Sequence, residues 1–102
     1  MSLAEVRAQI DELDDQILAL LARRQQQVKQ AARYKRDEAA VRAPDRRAQM
    51  MERLRDRATQ EGLAPGVVTA VYTAMIDAFI QLELRRHQEL ELDVDEVPSE
   101  RL

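Results

Sequence analysis

Apolar residues recur at three- and four-residue steps through the first third of the chain. Leu3, Val6, Ile10, Leu13, Ile17, Leu20, Leu21, Val28 and Ala31 mark one face of a helix. Ser2 and Glu5 have the spacing of a capping box, which sets the start. No Gly or Pro intervenes before Pro44, so the pattern predicts one helix from about Ser2 to about residue 36. At ~1.5 Å per residue such a helix is roughly 50 Å long, far beyond the ~13 Å radius of gyration of a compact domain of this size. Two short helices cannot cover a stripe of that length, whereas a second copy of the chain can.

Residues 37–43 read as a loop, because Pro44 disfavours helical geometry at the residue before it and suits a first helical turn itself. A second helix is predicted over 44–61, with Met50, Met51, Leu54 and Ala58 facing inward. Gly62 has the character of a C-terminal cap, and Pro65 opens a third helix. Its stripe is Val68, Val71, Tyr72, Met75, Ile76, Phe79 and Ile80. After Leu92 the chain turns acidic and apolar-poor, which predicts a loose tail over 93–102 following a helical domain over 1–92. The expected class is all-α, with one long helix and two shorter ones.

Composition narrows the chemistry. With 102 residues the chain is short for a large self-contained core, so a pocket shared between chains is expected. It has no Cys and a single His, His87. That excludes thiolate nucleophiles, disulfides and thiolate metal sites, and no carboxylate spacing suggests a metal. A net charge of −3 argues against general nucleic-acid binding. The start Met-Ser-Leu has no signal-like segment, and no stretch is expected to reach membrane-spanning length. A cytoplasmic protein without membrane or nucleic-acid partners is the expectation.

The informative residues are charges placed where the stripes should be apolar. Arg24 follows Ile17 by seven and precedes Val28 by four, an inward position. Lys35 lies eleven residues further on, and on a continuous helix eleven steps of ~100° return to nearly the same face. A lone inward Arg is more often an ion-paired or snorkelling residue than a ligand, but two cations on one stripe favour an anion between them. Arg7 sits ~25 Å before Arg24 on the helix axis and cannot serve the same site from the same chain, yet an antiparallel copy can bring it there. On the third helix Glu83 continues the apolar face, unless it turns to solvent or to Arg86. Arg46 and Arg47 oppose the dipole of the second helix, so at least one needs an anionic partner. His87, one turn after Glu83, reads as a surface residue near this cluster.

The run "VRAQIDELDDQILALLARR" followed by "VKQAARYK" resembles the first helix of the all-helical chorismate mutases, and the stretch "DEAAVRAPDRRAQMMERL" resembles the isochorismate pyruvate lyases related to them. The likeness covers roughly residues 3–90 and rests on the ordered combination of motifs. It implies an intertwined homodimer acting without cofactor or metal on a small dicarboxylate, chorismate or isochorismate. It also implies that the family's early Arg, mid-helix Arg, late Lys and loop Arg fall on Arg7, Arg24, Lys35 and Arg46. The resulting expected substrate-binding set is Arg7 of the second chain, Arg24, Lys35, Arg46, Val28, Ala31 and Ile80, with Lys35, Glu83 and Arg24 as the catalytic group.

Departures from the family pattern bear on the ring hydroxyl and the ether oxygen. Arg47 stands where a mutase has an acid after the loop Arg, a second loop acid falls on Ala43, and Glu83 replaces the Gln that donates to the ether oxygen. A carboxylate only accepts, so a donor role for Glu83 requires its acid form. The resemblance implies chorismate-to-prephenate rearrangement first, with isochorismate cleavage or an amino-chorismate mutase as alternatives. A non-catalytic helical dimer or adaptor explains the stripes but not the charges that interrupt them.

Overall fold

The computed structural model describes the backbone of residues 1–101 and the side chains of residues 1–92. Four helices follow one another: α1 (Leu3–Ala32), α2 (Glu38–Arg42), α3 (Pro44–Glu61) and α4 (Pro65–Arg101). No strand occurs among the described residues.

Helix starts follow local chemistry. Ser2 is extended and its Oγ accepts from the Glu5 amide at 3.1 Å, one half of the expected capping box. Pro44 and Pro65 occupy first helical positions. α3 ends at Gly62, whose φ of 73° lies in the left-handed region, and the Leu63 amide closes back on the Ala58 carbonyl at 2.8 Å, a Schellman arrangement.

The connection between the long first helix and α3 differs from the expectation in two ways. α1 stops at Ala32 rather than near residue 36, because its last amides shift to the i−3 carbonyls and tighten the final turn: Arg33 to Gln30, Tyr34 to Ala31 and Lys35 to Ala32. The predicted loop over 37–43 contains the short helix α2. Asp37 caps it by accepting from the Ala40 amide at 2.9 Å, and Arg42 pairs with Glu38 one turn earlier at 3.0 Å. Ala43 then takes φ 38° and ψ 64°, a left-handed turn that hands the chain to Pro44.

α4 is the central element and packs against α1, α2 and α3. The buried apolar residues are Ala32, Val41, Met51, Ala58, Val68 and Ile76, a thin core built mostly of small side chains. α4 continues past Leu92, where the acidic composition predicted an end; otherwise the expected tail over 93–102 lies outside the described side chains. Contrary to expectation, Pro65–Leu92 holds an 18-residue window of mean hydropathy 1.5, long and apolar enough to cross a membrane by composition. The same segment packs against three other helices and carries buried Glu83 and His87, although only 17% of that window is buried within the chain.

The first half of α1 has no partner within the chain. Every residue from Met1 to Leu20 is exposed, including Leu3, Ile10, Leu13 and Ile17, and burial begins at Leu21. The molecule measures 70 × 29 × 16 Å with a radius of gyration of 18.4 Å, against ~13 Å for a compact chain of this size. A row of large apolar side chains left in water along one helix face is a surface made to be covered.

Candidate active site

The second half of α1, the turn after it, α2, the start of α3 and the middle of α4 enclose a pocket of about 280 Å³. Val28 and Ala31 of α1 face Ile76, Phe79 and Ile80 of α4 across it. Into these apolar walls project Arg24, Lys35, Arg42, Arg46, Arg47 and one carboxylate, Glu83.

Three of the five cations are already balanced. Arg42 holds Glu38, Lys35 Nζ lies 2.7 Å from Glu83 Oε1, and Arg47 Nη1 donates to Asp77 Oδ1 at 2.7 Å. Arg24 and Arg46 have no ion-pair partner among the described residues. The Arg24 guanidinium lies 4.6 Å over the centre of the Phe79 ring, which fixes its plane, while its Nη1 is buried without a hydrogen-bond partner. An orphaned buried guanidinium nitrogen is costly in a protein interior, and an anion accepting from it removes that cost.

Glu83 is buried at 6% exposure, on the floor of the pocket. Its Oε1 meets the Lys35 ammonium at ion-pair distance without a directed hydrogen bond. An ammonium carries three protons, so this pairing leaves Lys35 donors for another acceptor. Among the described residues no group of three His, Cys, Asp or Glu side chains is placed to hold a metal ion.

Arg24, Lys35, Arg46, Glu83, Val28, Ala31 and Ile80 therefore fall in one pocket, and Arg7 does not. Arg7 is exposed on the uncovered half of α1. Lys35 reaches the pocket from the turn beyond α1, not from a helix face as the spacing predicted. His87 corrects a second expectation: it is buried at 7% exposure instead of lying on the surface, and its Nε2 is 2.7 Å from the Lys35 carbonyl oxygen. Burial follows because the turn after α1 folds over it, a contact across fifty-two positions that no local pattern reveals. The partner of Arg47, Asp77, was equally invisible, thirty residues away on α4.

The sequence profile of the family described as chorismate mutase type II matches residues 6–84. The chain belongs to the chorismate mutase type II family. Among its relatives, an isochorismate pyruvate lyase from Pseudomonas aeruginosa is 35% identical over 83 residues, which cover 81% of this chain and 82% of that protein. Membership of the chorismate mutase type II family makes the chain an all-helical enzyme of that class and implies a small-molecule substrate such as chorismate.

Proposed function

We propose that two copies of the chain form a homodimer through the uncovered half of α1, and that each pocket catalyses the rearrangement of chorismate to prephenate. The observation that carries this is the charge balance of the pocket, where Arg24 and Arg46 are the cations left without partners and the substrate brings two carboxylates. Arg7 of the second chain completes the grip, since antiparallel pairing carries the exposed half of one α1 onto the pocket half of the other. A cytoplasmic location accords with a family of soluble enzymes.

The reaction is unimolecular. The bond between the ring carbon and the ether oxygen breaks as a carbon–carbon bond forms from the enolpyruvyl methylene to the ring carbon bearing the carboxylate. No group adds to the substrate, so the protein contributes conformation and charge. Planar guanidiniums at Arg24 and Arg7 hold the carboxylates so that the side chain folds over the ring, which lowers the entropic barrier. Negative charge builds on the ether oxygen as its bond stretches, and Lys35, held by the Glu83 carboxylate at 2.7 Å, meets it with a donor already in place. One such donor is worth about 3 kcal/mol, or roughly a hundredfold in rate.

Isochorismate cleavage is the second reading, favoured by the 35% identity to an isochorismate pyruvate lyase and by a loop without the mutase acids, where Arg47 is taken up by Asp77 and residue 43 is Ala. There a ring hydrogen passes to the enolpyruvyl methylene as the same ether bond breaks, giving salicylate and pyruvate. The carboxylate grip and the ether-oxygen donor serve both reactions. Incubating the purified protein separately with chorismate and isochorismate decides: prephenate supports the mutase, salicylate with pyruvate supports the lyase. No turnover of either by a folded dimer leaves a mutase of an amino-substituted analogue or a non-catalytic dimer.

A further inference from the structure

Lys35 presents a positioning problem. It lies beyond the end of α1, its own amide reaches the Ala32 carbonyl only at 3.4 Å, and its neighbours Tyr34 and Arg36 are exposed. Nothing in the helical framework fixes where its ammonium stands. Two side chains of α4 do. Glu83 and His87 are the buried polar residues of the described structure and sit one turn, ~6 Å, apart on the same face. Glu83 meets the Lys35 ammonium and His87 meets the Lys35 carbonyl, each at 2.7 Å. A carbonyl oxygen only accepts, so Nε2 of His87 carries the proton. The other ring nitrogen faces Glu91 at 3.5 Å.

We propose that His87 is a positioning residue: by donating from Nε2 to the Lys35 carbonyl it pins the turn after α1 to α4 and thereby sets the position of the Lys35 ammonium against the reacting ether oxygen. The inference rests on the pocket being the pericyclic site described above. Both the neutral ring protonated on Nε2 and the imidazolium can make this bond, so the anchor holds in either state. Because Lys35 acts on charge that develops during reaction while the arginines hold the ground-state carboxylates, losing the anchor falls on kcat and spares KM.

The test compares His87→Leu, which keeps bulk without a donor, with His87→Gln, whose amide nitrogen reaches the place of Nε2. His87→Leu is expected to lower kcat by about ten- to a hundredfold, as a displacement on the order of 1 Å does, with KM within about twofold of wild type. His87→Gln restores most of the rate. In a Lys35→Met background His87→Leu is expected to add little, since the residue it positions is gone. Backbone nitrogen order parameters at residues 34–36 of the unliganded protein should fall from about 0.85 to below about 0.6 in His87→Leu and recover in His87→Gln. An unchanged kcat, a loss carried by KM, failure of Gln to rescue, or an equal further loss on Lys35→Met overturns the proposal. If the wild type turns over neither chorismate nor isochorismate, the pocket reading fails instead, and the order parameters alone decide the anchor.

Discussion

Replacing Arg24 by Met separates what the side chain does for substrate from what it does for the fold. Methionine follows a similar path over Phe79 and removes the guanidinium whose Nη1 is buried without a partner. For the substrate, a buried carboxylate loses its charged partner, which costs about 2–5 kcal/mol and lowers kcat/KM by roughly thirty- to several-thousand-fold. For the fold, the loss of a cation over an aromatic ring costs about 0.5–1 kcal/mol. Against that, relief of the orphaned buried nitrogen returns about 1–3 kcal/mol. Arg24 is only half-buried, so the lower end of that return applies. The protein should therefore be as stable as wild type or up to about 0.5 kcal/mol more stable, a shift of a few degrees at most in Tm. Steady-state kinetics and urea denaturation at matched protomer concentration read the two effects, the match being needed because a dimer's stability depends on concentration. A variant that loses more than about 1 kcal/mol of stability while keeping its kcat/KM would make Arg24 a structural cation and refute the reasoning.

Two further changes probe other parts of the account. Glu83→Gln keeps the shape of the side chain but removes the charge that faces the Lys35 ammonium at 2.7 Å, so kcat should fall by about tenfold or more; unchanged steady-state kinetics would take Glu83 out of the catalytic group. Gly62→Ala meets no atom within 4 Å but forces a side chain onto φ 73°, so it should destabilise by about 1 kcal/mol in denaturant titration with kcat intact, and a neutral result would show that α3 can end without the left-handed turn.

What could be read in the sequence was what local chemistry decides. Ser2, Pro44, Gly62 and Pro65 each set a helix boundary through their own backbone preferences, and each boundary stands where those preferences put it. The inward position of Arg24 followed from helical period alone. Lys35 shows the limit: its arrival in the pocket was anticipated by extending α1 to about residue 36, whereas the helix ends at Ala32 in a tightened turn and the side chain arrives from that turn. The short helix α2 did carry a local signal, Asp37 before Glu38 and Arg42, which the nearby Pro44 obscured. His87, Arg47 and Asp77 depend on contacts between α4 and distant segments, and a residue whose burial is decided by another element carries no mark of it in its own neighbourhood.

A pocket that gathers cations from two chains around one dicarboxylate is tested most directly by subunit mixing. Arg7→Ala and Arg24→Ala are each expected to lack activity alone, because every site in either homodimer misses one arginine. After dissociation and reassociation of an equal mixture, about half of the dimers are mixed, and each of these has one site with both substitutions and one with neither. Turnover of the substrate used by the wild type should return to about a quarter of the wild-type rate per dimer. No recovery in mixtures shown to have exchanged subunits would contradict a shared site and, with it, the role given to the exposed half of α1.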